Sequence, residues 1–377
     1  MVAPLPPELT DYIIDYLHRD VASLGACALT CSSWLPAARY HRFRLLRMST
    51  NARITAFGEL VASSPAIGLI VYGLRIHRPT LECLLSILPS LPSLVGLEVS
   101  NGQFTQGNFK CRRIDTKFPA LRRLEFNACI LRLDILANLL MFFPRLLDLR
   151  MLQPHIHPIS GDAAHPVVGR RLKRLRTVMV DHDPISRNEE PHRLYSWLID
   201  NFGPNRLVRF RINRKRDDPS PLQPVLDVFG PHRLRDILLG LYNLEDKASQ
   251  TLFTLKPCVN LRVITIKFGT LEPPAPTVDL TWISVLISQL NSPFLETIDL
   301  SISVLPCNAS LNDWRFDSIR ALDWENINQT LQRPILNNLR EFKICGRGPV
   351  GPFKAFLEEK CPAAYKRGLF QLKPSHD

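Results

Sequence analysis

The chain has 377 residues, 45% of them hydrophobic and 22% charged, with a formal net charge of +12. That balance suits a soluble globular protein long enough for one small module and one large domain. No run of about 18 apolar residues occurs, which excludes a membrane span, and the Pro-rich residues 1–10 lack the apolar core of a secretory signal. The nine cysteines are scattered, odd in number and free of any Cys-x-x-Cys pair. Such usage fits buried free thiols in a reducing compartment, so a cytoplasmic or nuclear location is expected.

Residues 5–43 predict three short helices. Pro6 and Pro7 suit a first helical turn, and Glu8 suits its positive N-terminal end. Leu9, Ile13 and Tyr16 or Leu17 then recur at helical spacing and predict one apolar face. His18 and Arg19 close that helix, and Asp20 is placed to cap the next. Val21, Leu24, Ala28 and Cys31 repeat at intervals of three and four, with Cys27 beside them. Ser33 is placed to cap a third helix carrying Trp34, Tyr40 and Phe43, with Pro36 near its start. Fewer than fifty residues cannot enclose so much apolar surface alone. The stretch must lean on the rest of the chain, on a partner, or on both.

These residues carry a resemblance. The opening Leu5-Pro6-x-Glu8-Leu9, the run through Ile13 and Leu17, the Leu24 to Leu29 segment and the ending Cys31-Ser32-Ser33-Trp34 together resemble an F-box. F-box proteins dock a Skp-family linker and, through it, a cullin-based ubiquitin ligase. The resemblance implies a linker-binding face built from Leu5, Pro6, Glu8, Leu9, Ile13, Leu17, Leu24, Leu29 and Trp34.

Residues 48–51 are polar and are expected to join this module to a second, larger one. From there one theme recurs: a helical run, a proline, then Leu-x-x-Φ-x-Φ, where Φ is apolar. Its leucines stand at 94, 121, 146, 175, 207, 234, 261, 295 and 339, so the intervals are 27, 25, 29, 32, 27, 27, 34 and 44 residues. Val71, Leu74 and Ile76 form an earlier, degenerate copy. Within each copy the alternation has period two, which predicts a strand with one buried face. Helical runs are expected at 81–88, 133–143, 194–202, 222–229 and 280–290. Prolines 92, 119, 144 and 293 stand two residues before the repeat leucine, and Pro204 and Pro231 three before. Each pushes its predecessor out of helical geometry, which stops the helix ahead of the strand.

Alternating strand and helix with a near-fixed period predicts parallel strands stacked as a solenoid. The period resembles that of leucine-rich repeats. The expected fold class is thus α/β: an N-terminal three-helix F-box (1–47), an irregular right-handed leucine-rich-repeat solenoid (52–346) and a C-terminal cap (347–377). The cap should hold a helix at 352–361 and a closing strand at 368–372. The irregularity follows from the ninth repeat position, where the usual Asn or Cys appears only as Cys129, with Gly102 and Gly269 in two other copies. Residues 155–169, 181–191, 214–224, 270–277, 307–312 and 346–351 break the period and predict loops.

No catalytic constellation is present. There is no Gly-rich phosphate loop with Gly-Lys-Ser/Thr and no Gly-x-Ser-x-Gly turn. His155, His157, His165 and His182 lie in a Pro-rich stretch without metal-ligand spacing, and Cys27 with Cys31 lacks further ligands nearby, so no metal and no cofactor are expected. Cys27 and Cys31 are expected as small core residues. The chain is not expected to be an enzyme.

The charge does not gather into a nucleic-acid site. On the predicted open face of the strands, Arg123, Arg150, Arg209, Arg211, Lys267 and Lys343 stand among Glu98, Glu125, Asp148, Asp181, Asp236, Asp299 and Glu341, close to neutrality. The excess collects at strand entrances, at Arg122, Arg176, Arg235, Arg262 and Arg340. Aromatic residues do not interleave with them as stacking platforms would require. Within that face Arg150, Arg209 and Arg211 are the candidate contacts for an acidic or phosphorylated client segment. The expected function is therefore a substrate-recognition adaptor of a Skp-cullin-F-box ubiquitin ligase, with the client unidentified. The alternatives are a leucine-rich-repeat interaction scaffold without a ligase role and a basic nucleic-acid binder.

Overall fold

The computed structural model describes residues 6–105, 118–157, 174–181, 191–203, 207–214, 222–242, 253–269, 280–302, 319–320, 322–346 and 350–374. The architecture is mixed α/β, with thirteen α-helices among the described residues. Contacts gather the chain into two compact units, one of Met1–Arg150 with His157–Pro166, the other of Met151–Ile156 with Val167–Asp377.

Unit 1 opens with three helices, α1 (Pro7–Tyr16), α2 (Val21–Thr30) and α3 (Leu35–Arg44). Asp20 caps α2 as expected, its carboxylate accepting from the amides of Ala22 and Ser23. Ser33 does not cap α3; the N-cap is Trp34, and the Ser33 hydroxyl instead bonds the Cys31 thiol at 3.1 Å. The expected polar joint at 48–51 is also corrected. Strand β1 (Leu45–Met48) follows α3 directly, Met48 is buried, and Asn51 opens α4 (Asn51–Ser63). Leu45, Leu46 and Met48 are too short a run to stand out from the helical pattern before them.

The rest of unit 1 alternates helix and strand: α5 (Pro65–Ile70), β2 (Gly73–His77), α6 (Leu81–Ile87), β3 (Gly96–Ser100), β4 (Gln103–Phe104), β5 (Arg123–Asn127), β6 (Ile130–Arg132), α7 (Leu133–Leu140) and β7 (Asp148–Leu152). Strands β1, β2, β3, β5 and β7 lie side by side in that order, and the registered pairs β1–β2, β2–β3 and β3–β5 are parallel. The register aligns Leu74 with Leu97 and Leu124, and Ile76 with Val99 and Phe126. All six are buried, so the apolar residues of each alternation form continuous columns. A slip of one residue would turn both columns to solvent, and that fixes the register.

A second periodicity lies just past the strands. Arg78, Asn101 and Ala128 each follow a strand and take φ of 52°, 55° and 50°, so each repeat turns at the same place. The Asn101 amide donates to the Asn127 carbonyl at 2.8 Å, which links one turn to the next. Cys129 sits inside this turn fully buried; its thiol lies 3.3 Å from the Val99 carbonyl and accepts from the Gly102 amide at 3.4 Å. It thereby satisfies backbone groups that burial would otherwise leave unpaired. Burial pushes this thiol up to about 11. The small pair β4 and β6 runs beside the same turns, a feature the period-two pattern did not announce.

Unit 2 continues the theme with β9 (Thr177–Asp181), α8 (Pro191–Asn201), β10 (Arg209–Arg214), α9 (Leu222–Phe229), β11 (Asp236–Tyr242), β12 (Val263–Gly269), α10 (Thr281–Ser288), β13 (Thr297–Ile302), α11 (Trp324–Leu331), β14 (Glu341–Gly346), α12 (Val350–Lys360), α13 (Pro362–Lys366) and β15 (Phe370–Pro374). These seven strands are parallel and lie in chain order. Phe210, Ile237, Ile264, Ile298 and Phe342 fill one column; Ile212, Leu239, Ile266, Leu300 and Ile344 fill the other. Each is fully or almost fully buried and contributes on the order of 1.5–3 kcal/mol. At the entrances of β10 to β14 two amides donate to one carbonyl of the preceding segment, as those of Arg262 and Val263 do to that of Arg235.

The closing strand falls at Phe370–Pro374, after the extra helix α13, where Gly368 takes a φ of +68°. That left-handed residue ends the helix at no steric cost. His155 and His157 belong to a short strand, β8 (His155–His157), and not to a loop. Most of the other expected loops, with His165 and His182, lie outside the described residues.

Candidate functional site

The first helix presents two different faces. Thr10 and Ile14 point inward, and Leu17 follows them half-buried. With Leu24, Cys27 and Ala38, Ile14 makes the core of the three-helix module, and Leu17, Ala28, Trp34 and Ala37 pack against it. The other face carries Leu9, Tyr12, Ile13 and Tyr16, at the i, i+3, i+4, i+7 spacing of a single stripe. All four are exposed, Leu9 by 52%, Ile13 by 44% and Tyr16 by 83%. Val21 and Leu29 on α2 are exposed as well, Leu29 by 89%. Apolar side chains gathered this densely on a small module mark a surface that burial would stabilise.

The expected linker-binding residues thus separate. Pro6, Glu8, Leu9, Ile13 and Leu29 lie in solvent. Leu17 and Trp34 are half-buried against the core. Leu24 is fully buried and holds the module together, so it lines no surface. Leu5 lies outside the described residues. The sequence pattern did not single out Ile14, the inward residue, or Tyr12, which with Tyr16 completes the outward stripe. Cys27 is core as expected, whereas Cys31 is exposed.

Helices α1 and α3 are tied by polar contacts beside this face. The Asp15 carboxylate lies 2.6 Å from the His41 imidazole. Around the pair is a cavity of about 730 Å³ lined by Thr10, Asp11, Trp34, Pro36 and Tyr40 among others. The Cys31 thiol is held below its ordinary value chiefly by the Ser33 hydroxyl. At the far end of α3, the Arg44 guanidinium lies between the rings of Tyr40 and Tyr72, 5.4 and 5.5 Å from their centroids. The Tyr72 amide donates to the Arg44 carbonyl at 2.9 Å, and Phe43 stacks on Phe57 of α4. The module is therefore held to the first strands of unit 1 by ring, cation and backbone contacts together.

The three arginines expected to meet a client are already paired. Arg150, in unit 1, reaches Asp148 at 3.0 Å and Glu125 at 3.8 Å. Arg209 and Arg211, in unit 2, share the Asp236 carboxylate at 2.6 and 3.7 Å. Lys343 likewise meets Glu341 at 2.5 Å. The near-neutral open face thus resolves, in part, into ion pairs within and between adjacent strands. That arrangement depends on register and cannot be read from charge counts.

Among the described residues no group of three or more His, Cys, Asp or Glu side chains is placed to hold a metal ion. No described helix is long and apolar enough to cross a membrane. No protein-family model matches the chain, and no curated protein matches it in sequence.

Proposed function

We propose that the chain is a substrate receptor of a Skp-cullin-F-box type ubiquitin ligase. In this reading α1–α3 form the F-box, the strand–helix repeats form the leucine-rich-repeat solenoid, and the chain acts in cytoplasm or nucleus. The outward stripe of Leu9, Tyr12, Ile13 and Tyr16 carries the proposal, because the same helix buries its other face on the module's own core. An apolar face left over after the core is complete suits a partner protein, and a Skp-family linker is the partner the F-box resemblance implies. Docking would bury side chains worth roughly 1.5–3 kcal/mol each. The Arg44 contacts support the same reading, since a receptor must hold linker and client at a fixed separation. Transfer chemistry belongs to the conjugating enzyme, and this chain supplies proximity.

Co-expression with the linker tests the reading. Wild type should elute with it as a one-to-one complex, and Leu9→Asp with Ile13→Asp should abolish that complex while leaving the unfolding midpoint of the chain unchanged. A complex that survives the double change removes the docking face. A stable chain that never binds the linker leaves the interaction-scaffold reading in its place.

A further inference from the structure

The open face of the unit 1 sheet contains a trough that the strand register builds. Gly73 on β2 lies directly across from Gly96 on β3. Leu45 on the edge strand β1 stands across from Gly73, and Arg123 on β5 stands across from Gly96. The Leu45 side chain folds over Gly73, and the missing side chain at Gly96 leaves the floor open beside it, between an apolar wall and a charged one. The resulting cavity measures about 740 Å³ and is lined also by Tyr72, Arg47 and Arg122. Leu45 is 69% exposed and Tyr72 47% exposed, so the apolar wall is open to solvent. β1 is the sheet's edge, so among the described residues no further strand closes that side.

The trough's charge is unbalanced in one direction. Five arginines line it (47, 75, 122, 123 and 150), against the three carboxylates of Glu98, Glu125 and Asp148. Arg75 pairs with Glu98 at 2.7 Å, Arg123 with Asp148 at 3.4 Å, and Arg150 with Glu125 at 3.8 Å. Arg47 and Arg122 remain, exposed and without a carboxylate partner among the described residues. An apolar slot floored by glycine, flanked by two uncompensated guanidinium groups, matches one kind of ligand. That ligand carries a flat apolar side chain with a carboxylate on either side.

We propose that this trough binds an acidic peptide segment of the client, with one aromatic side chain lying on Gly96 against Leu45 and carboxylates paired to Arg47 and Arg122. The site deepens the receptor reading and rests on it only for calling the bound peptide a client. Arg150 lines the trough too, but its charge, like those of Arg209 and Arg211, is already met by neighbouring carboxylates, so the peptide's contacts fall to Arg47 and Arg122.

Fluorescence anisotropy on the full chain tests this with a labelled nonapeptide of glutamates around a central tryptophan. The comparison probes are the same peptide with alanine at the centre, a lysine-rich version, and a single-stranded oligonucleotide. A side chain at Gly96 meets nothing within 4 Å of its first carbon, so Gly96→Leu should fold normally and fill the slot. Binding of the tryptophan peptide should weaken at least tenfold in Gly96→Leu, and at least tenfold in Arg47→Glu with Arg122→Glu. The alanine-centred and lysine-rich peptides should bind more weakly by a similar factor. The proposal is overturned if the tryptophan peptide does not bind, if both variants hold it as well as wild type, if the alanine peptide binds equally, or if the oligonucleotide binds more tightly. Linker capture is read in the same samples. Peptide binding that persists in a chain unable to capture the linker overturns the receptor reading and leaves the trough standing, and the converse result does the opposite.

Discussion

In unit 2 the large apolar side chains close on one another. Trp324 lies within 6.5 Å of Phe342 and 6.2 Å of Phe353, ring centre to ring centre, and all three are buried. In the first three helices the opposite holds: the enclosed core is Ile14, Leu24, Cys27 and Ala38, while Leu9, Tyr12, Ile13 and Tyr16 face water. The two regions use similar residue types and differ in geometry. A repeat stacks on a repeat, so every strand column finds a cover. A module of about forty residues has too little interior for its apolar content, and its surplus stays outside. Much of the surplus falls on one stripe of α1, with Val21 and Leu29 exposed on α2, and a stripe is a shape that a partner can match.

The largest effect should come from opening the enclosed region. Phe342→Ala removes a fully buried ring packed between Trp324 and Phe370, the latter at 5.6 Å. It should lower unfolding free energy by about 3–5 kcal/mol in urea titration, because neighbours that are themselves rings collapse poorly into the gap. A loss below about 1 kcal/mol would show this cluster to be no tighter than the helices at the other end, and the contrast would fail.

How far the sequence announced these regions depends on what each needed. The strand columns were legible because period two names both a strand and its buried face: Leu97 and Val99, or Ile264 and Ile266, are where alternation puts them. On α1 the period was legible but the face was not. Leu9, Ile13 and Leu17 share helical spacing, yet so do Thr10, Ile14 and Leu17, and a helix apolar on two sides does not say which side is covered. Leu24 and Val21 pose the same ambiguity on α2, one fully buried and the other exposed. The ion pairs were illegible for another reason. Arg209 meets Asp236, 27 residues on, only because β10 and β11 align those two residues. Gly96 gave no signal by itself, and only registration sets it beside Leu45 and Gly73 as a floor.

A smaller effect separates the regions by pH. Burial pushes the thiols of Cys129 and Cys361 up to about 11 and that of Cys258 up to about 12, from an ordinary 9.0. A folded value raised above the unfolded one means the stabilisation is complete below pH 9 and is lost as pH climbs toward 11. Each such thiol should steepen the decline by about 1.4 kcal/mol per pH unit in that window. Urea titrations of wild type and Cys129→Ala across the same pH values isolate one thiol, since other titrating groups cancel in the difference. Equal slopes would mean that Cys129 is not enclosed by the turn between β5 and β6.

The smallest effect on stability is the most informative about the exposed region. Leu29 is 89% exposed and touches little of the module, so Leu29→Ser should change unfolding free energy by no more than about 0.5 kcal/mol. On the proposed receptor reading the same change should weaken linker capture, because the methyl groups removed are ones that only a partner would cover. At about 25 cal/mol per Å² of apolar area, losing that burial corresponds to roughly tenfold in affinity. Titration of the linker against both chains measures the ratio. If Leu29→Ser destabilises the chain while linker affinity holds, the side chain belongs to the interior after all, and the surplus apolar surface is smaller than the stripe implies.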